Sequence, residues 1–269
     1  MNNADAPVGI FDSGIGGLTV AHAISELLPN EQLIYFGDTA HLPYGDKSKA
    51  AIRDFTSRVC RYFFERGCKA MVIACNTASA YAFSHAEKHF GDQLHIINVI
   101  DPMIDLVNDQ FSDVKVGVIG TKGTIGSRVY ARKIKQHSPG TRLSSQATPL
   151  LAPMIEEGYY NNYISKTIIH SYLEKKSFKN IEALILGCTH YPLIKKEIKD
   201  YYKRDIAILD SSAITAKAVE QLLKDQGIEA SKRIAQNEFY VSDYTTSFEH
   251  ATKQFFGVEI KLKKLRLKA

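Results

Sequence analysis

The segment VGIFDSGIGGL, residues 8–18, decides the fold because it joins an apolar run to a glycine-rich turn and the start of a helical pattern. Residues 8–11 are apolar apart from one glycine, which is typical of a β-strand buried on both faces. Three glycines in residues 14–17 permit a sharp turn, and residues 18–28 carry apolar side chains at helical spacing. The segment therefore predicts a strand, a tight turn and a helix in succession.

The same alternation continues along the chain. Further strands are predicted at residues 33–36, 71–74, 95–99, 116–119, 183–186 and 206–209. Helices are predicted at residues 18–28, 47–66, 77–89, 125–136, 161–175, 193–203 and 213–224. Such alternation predicts an α/β protein with mainly parallel sheets and right-handed crossovers, in which ligands bind beyond the carboxyl ends of the strands.

Two segments in the first part of the chain resemble two segments further on, and this internal similarity predicts two related domains. Residues 116–122 (VGVIGTK) resemble residues 8–14 (VGIFDSG), and residues 185–190 (ILGCTH) resemble residues 72–77 (VIACNT). We expect a first α/β domain formed by residues 1–99 plus 211–269, and a second formed by residues 100–210.

Composition and charge exclude several classes of protein. The 269 residues carry a net charge of +5, but residues 261–269 hold five basic side chains and no acid, so the remainder is balanced. Because the charge of the remainder is balanced, no nucleic-acid partner is expected. The basic tail, residues 261–269, is typical of an exposed edge strand. No apolar run approaches the roughly 20 residues of a membrane-spanning helix. Residues 1–7 lack the features of a secretory signal, and four cysteines without a Cys-x-x-Cys pair favour a reducing cytoplasm.

The turn at residues 12–17 (DSGIGG) follows a strand and opens a helix, which favours an anion site. A dinucleotide-binding pattern would need glycine at position 19, which is Thr19, and the Lys-Ser/Thr ending of a phosphate loop is missing. Two interpretations remain: a structural turn, or a small carboxylate site faced by Asp12.

Cys75 and Cys188 each end a predicted strand and precede a predicted helix start, whereas Cys60 and Cys68 lie among apolar neighbours as buried thiols do. A helix N-terminus is expected to lower the pKa of both strand-end thiols. The pair is compatible with a redox disulfide, with a Cys188–His190 nucleophile, or with proton transfer on opposite faces of one carbon atom. Metal ligation is disfavoured because no ligand spacing surrounds Cys75.

Six motifs together resemble those of glutamate racemases, in order, over residues 8–210. They are residues 12–18 (DSGIGGL), 37–39 (GDT), 42–45 (LPYG), 74–79 (ACNTAS), 120–124 (GTKGT) and 187–192 (GCTHYP). Aspartate racemases share the two-cysteine plan but usually have an acid after Cys-Thr. The resemblance implies two Rossmann-like α/β domains related by pseudo-symmetry, with the active site in the cleft between them.

The resemblance also implies an activity and a set of residues. It implies interconversion of L- and D-glutamate without cofactor or metal, for peptidoglycan synthesis, with Cys75 deprotonating the D-enantiomer and Cys188 the L-enantiomer. Asp12, His190 and Glu156 would assist the thiols, with the adjacent Glu157 as the alternative to Glu156. The substrate would be held by Asp12, Ser13, Pro43, Tyr44, Gly45, Cys75, Asn76, Thr77, Thr121, Thr124, Cys188, Thr189 and His190.

Alternatives from other classes stay open at this point. A racemase for aspartate or another acidic amino acid would share the plan, and an amino-acid-binding protein would need the carboxylate-binding turns but not both thiols. Homodimer assembly and activation by UDP-N-acetylmuramoyl-L-alanine are further expectations from the family.

Overall fold

The computed structural model describes residues 3–203 and 205–267, and it contains two parallel sheets. The first has the strand order β10-β9-β2-β1-β3-β4 and the second has the order β6-β5-β7-β8, and neighbouring strands are parallel in both. The strands are β1 Val8–Asp12, β2 Leu33–Gly37, β3 Ala70–Ile73, β4 His95–Asn98, β5 Lys115–Gly120, β6 Arg142–Ala147, β7 Ala183–Gly187, β8 Ala207–Asp210, β9 Glu238–Val241 and β10 Lys263–Lys264. The expected α/β class is confirmed.

Helices connect the strands. They are α1 Leu18–Leu27, α2 Lys49–Glu65, α3 Asn76–Phe90, α4 Asp101–Gln110, α5 Lys122–Gly126, α6 Val129–His137, α7 Leu151–Glu156, α8 Tyr163–Leu173, α9 Lys195–Tyr202, α10 Ser211–Gln226 and α11 Thr246–Phe256. Short 3₁₀ turns lie at Asn3–Asp5, Thr39–His41, Tyr44–Asp46, Lys176–Phe178 and Tyr191–Ile194. Within the described residues, no helix combines the length and the apolar character needed to cross a bilayer.

The seven strands expected from the sequence are present, with small shifts at their ends. β1, β2, β3 and β7 are buried at every residue, as their unbroken apolar runs indicate. The single helix expected at 125–136 is wrong: Arg128 adopts a left-handed conformation (φ 57°) and divides it into α5 and α6. The hydroxyl of Ser127 then accepts from the backbone N–H of Val129 at the start of α6 (3.2 Å).

The C-terminal segment returns to the first sheet, where β9 pairs with β2 and β10 pairs with β9. β10 is a two-residue edge strand, so the edge-strand interpretation of the basic tail is confirmed for residues 263–264, while Lys268 and Ala269 lie outside the described residues. α10 packs on α1. We propose on this basis the domain boundaries given above, residues 1–99 plus 211–269 and residues 100–210.

A buried ion pair links the segments that directly precede β2 and β3 in the first sheet. Lys69 Nζ lies 2.6 Å from a carboxylate oxygen of Glu31, and both side chains are almost fully buried. The same ammonium donates to the carbonyl oxygens of Ala4 and Ile228, each at 2.7 Å, and Glu31 accepts from the backbone N–H of Ala230 (2.8 Å). The pair therefore connects the start of β3 to the N-terminal segment and to the chain that follows α10.

Replacing Lys69→Met is expected to destabilise the fold, because it leaves Glu31 buried without its counter-charge. Breaking a buried pair by removing one partner costs about 3–5 kcal/mol of unfolding free energy, which urea denaturation followed by circular dichroism measures. Lys224→Met, which removes the exposed pair with Glu220 on α10, is the control and should leave the midpoint nearly unchanged. Equal midpoints for the two variants would contradict the structural role of the buried pair.

Candidate active site

A small cavity of about 60 Å³ lies where the carboxyl ends of the two sheets meet. Its wall contains residues that follow β1, β3, β5 and β7, together with the loop before α2 and the end of α7. The lining residues are Ser13, Leu42, Pro43, Tyr44, Gly45, Cys75, Asn76, Thr77, Thr121, Ala152, Pro153, Glu156, Gly187, Cys188, Thr189 and His190. Both strand-end thiols thus face one enclosed space, and each comes from a different sheet.

Cys75 caps the N-terminus of α3. Its sulfur accepts from the backbone N–H of Ala78 and donates to the hydroxyl of Ser13, with both distances 3.5 Å. Burial raises the pKa of the Cys75 thiol to about 12, and the negative charge of Asp12 acts in the same direction. The expectation that the helix start lowers this pKa is therefore wrong, because loss of hydration outweighs the hydrogen bonds from α3 and Ser13.

Cys188 is supported by a chain of two ionisable groups. Its sulfur lies 3.6 Å from His190 Nδ1, and Nε2 of the same ring lies 2.8 Å from a carboxylate oxygen of Glu156. Burial alone would lower the pKa of His190, but the contacts with Cys188 and Glu156 outweigh it and raise this pKa well above its usual value. His190 therefore lies between the thiol and Glu156, and its raised pKa favours the protonated ring, whereas Glu157 is exposed.

Asp12 lies behind the cavity rather than in its wall. It is fully buried, and its carboxylate accepts from the backbone N–H of Gly14 (3.0 Å) and from the hydroxyl of Thr189 (3.4 Å). Burial raises the pKa of Asp12, against the opposing effects of the His190 charge and of the backbone N–H groups of Gly14 and Gly17. Asp12 thus holds the glycine turn and the β7 turn together.

Three threonines, on the other side of the cavity from Asp12, form hydrogen bonds between the residues that follow β3 of the first sheet and those that follow β5 of the second. The hydroxyl of Thr77 lies 2.8 Å from that of Thr121 and 3.1 Å from that of Thr124. Thr121 caps α5 by accepting from the backbone N–H of Thr124 (3.1 Å). Thr77 and Thr121 line the cavity, while Thr124 is buried behind them.

Asn76 offers the cavity a free amide donor. Its Oδ1 accepts from the hydroxyl of Tyr130 (2.8 Å), and both residues are buried. Among the described residues, Nδ2 of Asn76 has no hydrogen-bond partner although it is buried. An unpaired buried donor is costly, so this group is suited to an acceptor on a bound ligand.

The loop before α2 is fixed from outside the cavity. The hydroxyl of Tyr44 donates to Asp38 (2.7 Å), and the same carboxylate accepts from Ser242 (2.8 Å). A Cβ at Gly45 would lie 2.9 Å from Cβ of Thr121, so this loop lies close to the residues that follow β5 of the second sheet. Asp38 therefore positions Tyr44 without entering the cavity wall.

Twelve of the expected site residues line the cavity, and two, Asp12 and Thr124, contact lining residues from behind. Sequence reasoning missed Tyr130, which holds Asn76, and Phe255 of α11, whose ring packs edge-on against His190 at 5.3 Å. Nothing in the local sequence around either residue indicates a site. It also missed Ala152 and Pro153, which precede Glu156 on α7.

Residues 17–219 match the family model described as Asp/Glu/Hydantoin racemase. A glutamate racemase of Neisseria meningitidis serogroup C is 38% identical over 252 residues, which are 93% of this chain and 93% of that protein.

Solved structures agree with this. The crystal structure of glutamate racemase from Francisella tularensis subsp. tularensis, in complex with D-glutamate, superposes with a TM-score of 0.92 at 36% identity and covers 98% of both chains. The Escherichia coli glutamate racemase, in complex with L-glutamate and the activator UDP-MurNAc-Ala, gives a TM-score of 0.81 at 26% identity, covering 98% of this chain and 100% of that one. The chain therefore belongs to the Asp/Glu/Hydantoin racemase family and resembles the glutamate racemases within it.

Proposed function

We propose that this amino-acid racemase interconverts L- and D-glutamate by proton transfer at the α-carbon, with Cys75 and Cys188 as the two acid–base groups. The observation that carries the proposal is that both thiols line one cavity and come from different sheets. An α-carbon bound between them would meet one sulfur on each face. Inversion needs this arrangement, because the proton must leave one face and arrive on the other.

The two thiols differ in their surroundings, which supports a direction for the first half of the cycle. The raised pKa of Cys75 favours its thiol form, and His190, whose raised pKa favours the protonated ring, lies 3.6 Å from the Cys188 sulfur. In the proposed starting form Cys188 is the base and Cys75 is the acid. In this form Cys188 accepts the α-proton of L-glutamate and Cys75 delivers its own proton to the opposite face. The products are D-glutamate, the Cys188 thiol and the Cys75 thiolate, and the reverse reaction starts from that state.

Neutral donors would bind the substrate and stabilise the carbanion. Among the described lining residues there is no lysine or arginine, so carboxylate oxygens would be met by the Asn76 amide, by the Ser13, Thr77, Thr121 and Thr189 hydroxyls, and by the N-terminus of α3. Fixed donors in a site without bulk water stabilise developing charge more than water does. The small volume of the cavity supports such exclusion of water.

The choice of glutamate rests on the relatives that resemble this chain, two of which were solved with D-glutamate or L-glutamate bound. Supply of D-glutamate for peptidoglycan is part of the same proposal. Homodimer assembly, activation by UDP-N-acetylmuramoyl-L-alanine and a cytoplasmic location stay predictions.

Cys75→Ala and Cys188→Ala are each expected to lower racemisation by about 10²–10⁴-fold in both directions, because either change removes one acid–base group. Circular dichroism of L- and D-glutamate over time measures the rates. In deuterated water, Cys75→Ala should retain slow α-proton exchange only with L-glutamate, and Cys188→Ala only with D-glutamate. Cys68→Ala, a thiol outside the cavity, is the control, and wild-type turnover by either active-site variant would refute the two-thiol mechanism.

Glu156→Gln is expected to shift the alkaline limb of kcat/KM for L-glutamate to lower pH. Glu156 helps to raise the pKa of His190, so without its charge the imidazolium loses its proton at a lower pH. Glu157→Gln, at the adjacent exposed residue, should leave the profile in place. An unchanged profile for Glu156→Gln would rule out this role and reopen the choice between the two acids.

Tyr130→Phe is expected to raise KM for both enantiomers about five- to tenfold, because the Asn76 amide loses the partner that fixes its orientation at the cavity wall. kcat should change less than KM, since the reacting thiols are untouched. Tyr62→Phe, which removes only a hydroxyl paired with Arg66 on the surface of α2, is the matched control. A fall in kcat with KM unchanged would show that Tyr130 acts in another way.

A further inference from the structure

A second and larger cavity of about 280 Å³ lies outside the catalytic cavity, between α2 and the C-terminal strand. It lies at the carboxyl ends of β2, β9 and β10, which is the side of a parallel sheet where ligands bind. Its lining residues are Phe36, Asp38, Ala40, His41, Phe55, Arg58, Val59, Ser242, Arg266 and Leu267. We call it the arginine cavity.

One wall of the arginine cavity is aromatic and largely apolar. The rings of His41 and Phe55 are stacked, with centroids 4.2 Å apart and planes 21° from parallel. Phe36, Val59 and Leu267 continue this surface. Such a wall is suited to a planar, largely apolar group.

Two guanidinium groups form the charged part of the cavity. In the described chain the Arg266 guanidinium makes no hydrogen bond and no ion pair, although it acts electrostatically on Asp243, whose carboxylate is paired with Lys264 at 2.5 Å. Among the residues that the structure describes, Arg58 pairs only with the exposed Asp54 (2.6 Å), a partner that solvent also reaches. Both arginines can therefore turn toward an anion at low cost.

The acid in the cavity wall does not repel an anion strongly, because its oxygens are already used. The carboxylate of Asp38 accepts from Tyr44 (2.7 Å) and Ser242 (2.8 Å) and lies 2.8 Å from Nδ1 of His41. The cationic groups of Arg58 and Arg266 then determine which ligand charge is favoured.

We propose that the arginine cavity binds a small organic anion that has a planar apolar body and a phosphate or carboxylate group. The planar body lies on the His41–Phe55 wall, and the anionic group is held by Arg58 and Arg266. This site is separate from the catalytic cavity, with which it shares no lining residue.

Binding there would influence catalysis through the loop between the two cavities. Ala40 and His41 line the arginine cavity, and the next residues along the chain, 42–45, line the catalytic cavity. Asp38 fixes both His41 and Tyr44. An occupant that moves His41 is therefore expected to change KM for glutamate. This consequence rests on the proposed function, whereas the binding itself does not.

Phenyl phosphate is the probe, and isothermal titration calorimetry of the full chain measures its binding. The wild-type protein should bind it with a Kd of about 1 mM or tighter, also when D-glutamate saturates the catalytic cavity. Phenol, which lacks the anion, should bind at least tenfold more weakly. Arg58→Gln and Arg266→Gln should each weaken phenyl phosphate binding at least tenfold, while Arg132→Gln, an exposed arginine on α6, gives the same change of net charge and should stay within twofold.

The outcomes separate the alternatives. Absence of binding to the wild-type protein, equal affinity in all three variants, or displacement of phenyl phosphate by D-glutamate would each overturn the proposal. Thermal melting of the arginine variants should match the wild type, because both side chains are at the surface, so a weakened affinity cannot come from unfolding. A second measurement, KM for glutamate with and without phenyl phosphate, tests the coupling: an unchanged KM at saturating probe would refute the coupling but not the binding site.

Discussion

Direct contact between the carboxyl ends of two parallel sheets is the constraint on which the rest of this structure depends. On one side of the catalytic cavity Thr77 is hydrogen-bonded to Thr121 and Thr124, and on the other Thr189 is hydrogen-bonded to Asp12. The approach leaves no room for side chains between: a Cβ at Gly16 would lie 2.5 Å from atoms of the His190 ring. A thiol from each sheet can face the same small cavity only because the carboxyl ends of the two sheets lie this close together.

The closeness has an electrostatic consequence. Burial removes the hydration that stabilises charge, so the cavity can hold only those charges that have partners. Cys188 and Glu156 on either side of the His190 ring outweigh its burial and raise its pKa. Burial also raises the pKa of Cys75, which has hydroxyl and amide partners and faces the charge of Asp12. Two thiols in similar positions at strand ends therefore have different neighbours: the His190 ring lies beside Cys188, whereas Ser13, the backbone N–H of Ala78 and the charge of Asp12 surround Cys75.

The features of this arrangement that could be predicted from the sequence are those that local residue patterns determine. Cys75 and Cys188 follow unbroken apolar strands, and parallel strands bring their carboxyl ends to one edge, so their positions were predictable from pattern alone. β6 was not predicted because its residues are mostly polar and none is buried, and β9 was not predicted because its apolar run is only three residues long, 239–241. The break at Arg128 was missed because a left-handed residue between two helical segments leaves the apolar spacing intact. The pKa of Cys75 was expected in the wrong direction because a sequence shows the helix start but not the depth of burial.

Contacts between residues that are far apart in the sequence could not be predicted from local residue patterns. Residues after 219, outside the span of the family model, supply Ser242, which binds Asp38, and Phe255, which packs on the ring of His190. Each of these touches a residue that in turn holds a member of the cavity wall, Tyr44 in one case and Cys188 in the other. The C-terminal segment therefore fixes the catalytic cavity without entering it, and the same segment closes the arginine cavity through Arg266 and Leu267. Arg266 follows β10, and Ser242, which donates to Asp38, follows the neighbouring strand β9. A ligand held by Arg266 would therefore act next to the strand end that holds Asp38, and hence near the wall that carries Tyr44.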